Sequence, residues 1–224
     1  MSQKTASSRS EPPPRAAEIV REYGPFAGSD KVSGVTHDGR RVWAALGDTL
    51  IAFDPASGQT ERTLDHAGDA GTAFDGTHLW QIAETRIDKI DPATGKVLAS
   101  IPSPGESDSG LAWAEGSLWV GQYRGKQIKQ LDPATGAVLR TIESNRFVTG
   151  VTWVDGELWH GTWEGDESEI RRIDPASGAV LDRLAMPPGT GVSGLESDGA
   201  DLFYAGGGGS GKVRAVRRSK SAHP

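Results

Sequence analysis

Five segments of this chain share one frame, and this repetition constrains the fold more than any other feature of the sequence. Each segment begins with a glycine, and an aromatic residue follows nine positions later. The five pairs are Gly34 and Trp43, Gly71 and Trp80, Gly110 and Trp119, Gly150 and Trp159, and Gly194 and Phe203. Chance does not preserve that offset five times. The chain therefore consists of five copies of one supersecondary unit, spaced 37 to 44 residues apart.

A second marker, a tight turn, divides four of the five repeats. It reads Asp-Pro-Ala-Ser-Gly or Asp-Pro-Ala-Thr-Gly and occupies residues 54–58, 91–95, 132–136 and 174–178. Proline presets φ, the Asp side chain caps the backbone and glycine accepts a positive φ, so the marker predicts a turn between two strands. Each repeat then contains four short antiparallel strands, A to D. Four such strands form one blade of a β-propeller.

The fifth repeat has no Asp-Pro turn and no fourth strand. The segment Glu18-Ile-Val-Arg-Glu-Tyr23 resembles Val180-Leu-Asp-Arg-Leu184, the strand D of the fourth repeat. We therefore expect residues 18–23 to form the outer strand of the last blade and to close the ring. A short helix from Arg15 to Glu22 is the alternative.

The predicted fold is all-β: a five-bladed β-propeller closed by an N-terminal strand that completes the last blade. It comprises residues 16–218, between a disordered tail at 1–15 and a second tail at 219–224. The blades are expected at about 32–64, 69–101, 108–142, 148–184, and 192–217 together with 18–23.

Bulk properties exclude several partners. The net charge of −6 argues against a nucleic-acid partner, and no apolar run approaches the ~20 residues that span a bilayer. The chain has no cysteine, so disulfides and thiolate chemistry are excluded. The N-terminus has no apolar segment typical of a signal peptide. We expect a monomer in the cytoplasm, with no membrane partner.

Loop variation predicts which face of the propeller is functional. The A–B and C–D turns lie on one face and are nearly uniform. The B–C loops and the D–A connections lie on the other face and vary in length and content, as in 163–168 and 102–108. Irregular loops on a rigid scaffold are where binding groups usually lie. A small-molecule ligand is therefore expected at the channel mouth on the face of the D–A and B–C loops.

Several side chains near that face are candidates for ligand binding. Trp163 lies outside the repeat pattern, where it either covers a ligand or packs within its loop. Polar residues also follow the aromatic in strand B, where they either satisfy backbone groups or bind a ligand. The predicted ligand-binding residues are Gln81, Gln122, Tyr123, Thr162, Trp163, Asp69, Asp108 and Tyr204.

His160 is the strongest catalytic candidate, with Glu164 as the nearby carboxylate. A histidine beside a cleft acts as an acid or base when a carboxylate is within hydrogen-bond reach and the cleft is open to solvent. The alternative is a buried, hydrogen-bonded imidazole. His66 and His160 with scattered carboxylates show no metal-ligand spacing, so no metal site and no cofactor are predicted, with a divalent metal as the alternative.

Residues 18–217 resemble the glutamine cyclotransferase (glutaminyl cyclase) type of five-bladed propeller. The resemblance rests on Leu79-Trp-Gln-Ile, and on Val154-Asp-Gly-Glu-Leu-Trp followed by Trp163 and Arg172-Ile-Asp-Pro. It implies that Gln81 and Trp163 belong to a ligand pocket. A more distant similarity, to virginiamycin B lyase-type propellers, rests on the Leu-Trp and Ile-Asp-Pro rhythm.

The chain departs from the cyclase pattern at three positions. The family's Leu-Tyr-Glu-Ser segment corresponds to residues 42–45, which contain no acid, and its Asn-Glu-Leu-Glu motif corresponds to 149–152. Its Gly-Lys motif corresponds to Gly206-Gly207, so the lysine is also missing. Cyclisation needs proton transfer between amine and leaving amide. The sequence therefore predicts a small-molecule-binding propeller on the cyclase scaffold. An enzyme of lyase or cyclotransferase type using His160, and a protein-interaction scaffold, are the alternatives.

Overall fold

Residues 11–219 of the computed structural model form β-strands, turns and loops without a helix. The two N-terminal strands are β1 (Arg15–Ala16) and β2 (Ile19–Tyr23). Blade 1 contains β3 (Gly34–His37), β4 (Val42–Ala45), β5 (Gly47–Phe53) and β6 (Thr60–Gly68). Blade 2 contains β7 (Thr72–Phe74), β8 (Leu79–Ala83), β9 (Arg86–Ile90) and β10 (Val97–Pro102). Blade 3 contains β11 (Asp108–Ala114), β12 (Ser117–Gln122), β13 (Gln127–Leu131) and β14 (Val138–Glu143). Blade 4 contains β15 (Val151–Val154), β16 (Glu157–Glu164), β17 (Glu167–Ile173) and β18 (Val180–Ala185). Blade 5 contains β19 (Gly194–Ser197), β20 (Leu202–Gly206) and β21 (Val213–Arg217).

These sheets form a closed ring. Within each blade the strands pair antiparallel in chain order, from inner to outer strand. The inner strands β3, β7, β11, β15 and β19 each contact the next, and β19 returns to β3. The prediction of an all-β, five-bladed propeller is confirmed. Within the described residues no helix is long and apolar enough to cross a membrane.

The N-terminal strands close the ring and also reach back to blade 4. β2 pairs antiparallel with β21, with Ile19 opposite Val216 and Tyr23 opposite Val213, so it is the missing outer strand of blade 5. The alternative helix from Arg15 to Glu22 is wrong, because the free edges of two sheets satisfy the backbone groups of this segment. β1 pairs parallel with β18, so the propeller begins before residue 16. Residues 1–10 of the predicted tail, and residues 220–224, lie outside the described part.

The five repeat glycines allow the inner strands to pack directly against each other. A Cβ atom on Gly34, Gly71, Gly110, Gly150 or Gly194 would lie closer than 3.0 Å to backbone atoms of the neighbouring inner strand. Five blades make a narrow ring, and only a residue without a side chain fits at this contact. The leading glycine of each repeat is therefore the contact point of adjacent blades.

The repeat aromatics are buried between blades, but blade 5 departs from the predicted alignment. Thr152 pairs with Trp159 in blade 4, whereas the equivalent Glu196 pairs with Tyr204. Tyr204 therefore takes the position assigned to Phe203, whose ring faces blade 4 at 5.0 Å from the Trp159 ring. The A–B turn of blade 5 contains one additional residue, so the aromatic comes ten rather than nine positions after Gly194.

The indole N–H group of Trp119 lacks the aspartate acceptor that the indole N–H groups of Trp43 and Trp80 have. Trp43 Nε1 donates to Asp38 at 2.8 Å and Trp80 Nε1 donates to Asp75 at 2.9 Å. Ala114 holds the equivalent position in blade 3, and the buried Trp119 Nε1 has no hydrogen-bond partner among residues 11–219. A buried donor without a partner lowers the stability of the folded state.

We expect Ala114→Asp to raise the free energy of unfolding by about 1 kcal/mol, because the new carboxylate accepts the Trp119 N–H bond. Urea denaturation followed by tryptophan fluorescence measures the change. In a Trp119→Phe background the same substitution has no N–H group to satisfy, and the gain should disappear. An equal gain in both backgrounds would show that another effect of the aspartate is responsible.

Candidate functional site

A cavity of about 870 Å³ opens at the mouth of the central channel. Its residues come from D–A connections, such as Asp69, from the start of β11 at Asp108, and from B–C loops, such as Tyr123 and Gly209. The cavity thus lies on the face that loop variation selects. Its floor consists of the five residues that precede the repeat glycines, namely Ser33, Ala70, Ser109, Thr149 and Ser193.

Four of the five floor residues carry a hydroxyl group. Ser109 Oγ donates to Val148 O at 2.7 Å, and Ser193 Oγ donates to Val32 O at 2.5 Å. Ser33 Oγ and Thr149 Oγ1 are buried and have no hydrogen-bond partner within the described chain. Because buried polar groups are normally paired, the floor has unused hydrogen-bonding capacity.

Two aromatic side chains form one wall of the cavity. Trp163 Nε1 donates to Gly165 O at 3.0 Å, and the Tyr123 hydroxyl donates to Trp163 O at 3.2 Å. The indole of Trp163 lies against Gly191 and Gly208, where a Cβ atom would come within 3.0 Å of its ring carbons. The glycine run at 206–211 therefore provides space for the Trp163 ring.

The remaining walls carry more negative than positive groups. Asp30, Asp69 and Asp108 line the cavity, and Lys31 is the cation among its described lining residues. Asp108 Oδ1 accepts a hydrogen bond from Gln122 Nε2 at 2.8 Å, and Oδ2 accepts bonds from Ser103 and from Gly105 N. Burial raises the pKa of Asp108, and these hydrogen bonds oppose the increase.

Of the predicted ligand-binding residues, Asp69, Asp108, Tyr123 and Trp163 line the cavity. Gln122 lies behind the wall and holds Asp108. Gln81 is completely buried, and its Nε2 atom donates to Ala70 O at 3.1 Å and to Ile82 O at 2.8 Å. The two glutamines therefore position the wall and floor from behind.

Thr162 and Tyr204 do not lie among the cavity residues, so the structure does not support their predicted contact with a ligand. Thr162 is completely buried, and its hydroxyl accepts the Glu169 N–H bond at 3.1 Å. Tyr204 is packed between blades 5 and 1 because of the longer turn in blade 5. Burial raises the pKa of Tyr204 to about 12.

The structure does not meet the conditions on which the catalytic prediction for His160 and Glu164 depends. His160 is completely buried, and its Nδ1 donates to Gly161 O at 2.9 Å. Its Nε2 has no hydrogen-bond partner in the part of the chain that the structure describes. Residues 160 and 164 are four positions apart along β16, a distance of about 13 Å. Glu164 instead accepts the Phe147 N–H bond at 3.0 Å and pairs with Arg146 at 3.2 Å. Burial lowers the pKa of His160 to about 4.

The floor hydroxyls are site residues that the sequence reasoning missed. Their signal is present in the sequence, since the residue before each repeat glycine is Ser, Ala, Ser, Thr and Ser in turn.

The two histidines considered as metal ligands lie apart. His66 lies on β6, 3.4 Å from Asp88, in a different blade from His160. Among residues 11–219 no group of three or more His, Cys, Asp or Glu side chains could hold a metal ion.

Comparison with known proteins identifies the fold. No family model and no curated protein matches the sequence. Among solved structures, glutaminyl cyclase from Myxococcus xanthus aligns with a TM-score of 0.74 at 18% identity, covering 92% of this chain and 98% of that one. Hydrazine synthase from Kuenenia stuttgartiensis gives a TM-score of 0.50 at 16% identity, covering 80% of this chain and 56% of that chain. A chain of a mitotic checkpoint complex gives 0.53 at 16% identity, covering 84% and 75%. The chain therefore has a glutaminyl cyclase-like propeller fold.

Proposed function

We propose that this propeller binds a small organic ammonium compound in the cavity at the channel mouth, without cyclase chemistry. The carrying observation is the composition of the cavity lining, which combines the aromatic side chains of Trp163 and Tyr123 with the carboxylates of Asp69 and Asp108. Aromatic faces and carboxylates both attract cations, and a partly enclosed site strengthens each interaction.

The wall is also held in a fixed arrangement, which supports binding. Gln122 orients the Asp108 carboxylate, and the Tyr123 ring stacks on Phe147 at 4.6 Å. Ordered groups lose less conformational freedom when a ligand arrives. The unpaired hydroxyls of Ser33 and Thr149 offer acceptors for the N–H groups of an ammonium ion at the floor.

The comparison supports the fold and not the chemistry. Glutaminyl cyclase is an enzyme on the same type of fold, but residues 42–45 form the buried strand β4 without an acid. Gly207 stands where the resemblance requires lysine. No observation in residues 11–219 favours the lyase alternative, whereas exposed apolar side chains on the outer strands, such as Leu98, Leu139 and Leu181, are compatible with the protein-interaction alternative. The absence of a cofactor, the monomeric state and the cytoplasmic location stay predictions.

We expect Trp163→Ala to weaken binding of a tetraalkylammonium or alkylammonium probe about tenfold, because it removes a cation–π contact of roughly 1–2 kcal/mol. Tetramethylammonium and n-butylammonium are suitable probes, with n-butanol as the uncharged analogue. Thermal shift and titration calorimetry measure the affinities.

Asp108→Asn should weaken the same probes, whereas Asp166→Asn is the matched control. Asp166 is an exposed carboxylate in a loop on the same face but outside the cavity lining. Equal effects of the two substitutions, or equal binding of n-butanol, would contradict the proposed recognition of charge. Ammonia release from a glutaminyl peptide would contradict the proposed lack of cyclase chemistry.

A further inference from the structure

The N-terminal arm, residues 11–17, lies along the outer edge of blade 4, away from the cavity. β1 pairs in parallel with β18, and Ala17 N donates to Ala185 O at 2.8 Å. Arg15 pairs with Asp182 at 2.5 Å. Three prolines precede Arg15, and such a segment is preorganised in an extended conformation. The arm therefore resembles an extended peptide bound to a sheet edge.

The carboxylate of Glu11 ends this arm in a cradle of three donors, Asn145, Arg171 and Arg183. Asn145 Nδ2 donates to Glu11 Oε1 at 2.6 Å. Arg171 Nη2 and Arg183 Nη1 each lie 3.5 Å from Glu11 Oε2. The side chain of Arg171 is only 2% exposed, whereas that of Glu11 is 29% exposed. The cradle is thus part of the blade, and the carboxylate enters it from the surface.

The charge of the cradle requires an anion. Glu169 accepts hydrogen bonds from Arg171 Nε at 2.7 Å and from Arg183 Nε at 3.0 Å. Burial raises the pKa of Glu169, but its bonds to Arg183 and Arg171 outweigh burial and lower it. One carboxylate compensates one of the two guanidinium charges. Without Glu11, a buried positive charge and a free amide donor remain, which is an unfavourable arrangement.

We propose that this cradle is a carboxylate-binding site for an extended acidic peptide, and that Glu11 occupies it in cis. The recognised pattern is a carboxylate four residues before a basic residue that pairs with Asp182, followed by backbone pairing to the edge of β18. A peptide in trans with this pattern binds when the arm of this chain leaves both the cradle and the edge of β18. Charge-assisted bonds to two arginines supply the specificity for a carboxylate.

The experiment uses the full-length chain with Glu11→Ala, which empties the cradle and weakens the hold of residues 12–17 on the edge of β18, so that the probe peptide displaces the substituted arm. The probe is the acetylated peptide Glu-Pro-Pro-Pro-Arg-Ala-Ala, which is the sequence of residues 11–17. We expect this peptide to bind Glu11→Ala in titration calorimetry at least tenfold more tightly than it binds the unsubstituted chain, in which Glu11 competes. A peptide with Gln in place of Glu should bind Glu11→Ala at least tenfold more weakly. Acetate should partly restore the Tm that Glu11→Ala loses.

Glu18→Ala is the matched control. Glu18 directly follows the arm in sequence, and its side chain forms a solvent-exposed ion pair with Arg217. This variant should gain neither peptide binding nor acetate rescue. Equal rescue of both variants, or equal binding of the Glu and Gln peptides, would overturn the proposal. Binding of inorganic phosphate without peptide binding would show a bare anion site and would also overturn it. If Glu11→Ala folds poorly, Glu11→Gln tests the same site, since it retains an acceptor for Asn145.

Discussion

Replacing Gly150 by alanine should lower the free energy of unfolding by roughly 3 kcal/mol, among the largest effects expected of any single methyl group in this chain. The added Cβ would lie closer than 3.0 Å to the backbone of Gly194 and Leu195 in the neighbouring blade. Backbone atoms cannot rotate away as a side chain does, so two blades must separate and open the ring. Urea denaturation followed by tryptophan fluorescence measures the loss.

Gly209→Ala is the control for this substitution. Gly209 is also close to the channel mouth, but nothing lies within 4 Å of a Cβ atom placed there. Its replacement should change stability by less than about 0.5 kcal/mol. If Gly150→Ala loses no more stability than this small amount, the inner strands can move apart without cost. The glycines would then not determine the packing of the ring.

Replacing Glu196 by glutamine should abolish a decrease in stability between about pH 4.5 and pH 7. Glu196 extends from β19 between the inner strands of the flanking blades. Its carboxylate accepts bonds from Thr36 Oγ1 at 3.0 Å, from Thr152 Oγ1 and from Ser197 N at 2.8 Å. Burial raises the pKa of Glu196 from 4.5 to about 7, although these bonds oppose the increase.

The sign of the effect follows from proton binding. Between these two pKa values the folded chain holds a proton at Glu196 that the unfolded chain has released. The contribution of Glu196 to the free energy of unfolding is therefore fully present below pH 4.5 and is lost as the pH rises through 7. The difference amounts to at most about 3 kcal/mol. Glu196→Gln should gain stability relative to the unsubstituted chain as the pH rises.

His160 contributes with the opposite sign over an overlapping range. Burial lowers the pKa of His160 from 6.5 to about 4, so its contribution is present above pH 6.5 and is lost as the pH falls through 4. The two groups oppose each other in the unsubstituted chain and flatten its pH profile. Glu196→Gln should therefore reveal a rise in stability from pH 4 to pH 6.5 that belongs to His160.

Urea denaturation at a series of pH values from 4 to 8 tests both contributions. Glu106→Gln, at an exposed loop position, is the control for the loss of one carboxylate. A constant difference for Glu196→Gln would show that its carboxylate titrates alike in the folded and unfolded states. In that case the bonds from Thr36 and Thr152 offset burial completely.

Part of the candidate site could be predicted from the sequence. Asp69, Asp108, Tyr123 and Trp163 were identifiable because they lie in or directly beside the variable connections of one face, and loop variation is visible along the chain. The roles of His160 and Tyr204 could not be predicted. Whether a residue on a strand faces a cavity or a neighbouring blade depends on the register, and one additional residue in the last A–B turn shifted the register of Tyr204.

The sequence by itself determined the all-β class, the number of blades and the closure by residues 18–23. Turn chemistry, strand periodicity and the missing fourth strand are all local properties of the chain. Only the tertiary structure revealed the ring of hydroxyl groups beneath the cavity, the half-buried Glu196 and the cradle around Glu11. These arise from residues far apart in sequence, such as Glu11 and Asn145, which are brought together only when the blades pack around a common axis.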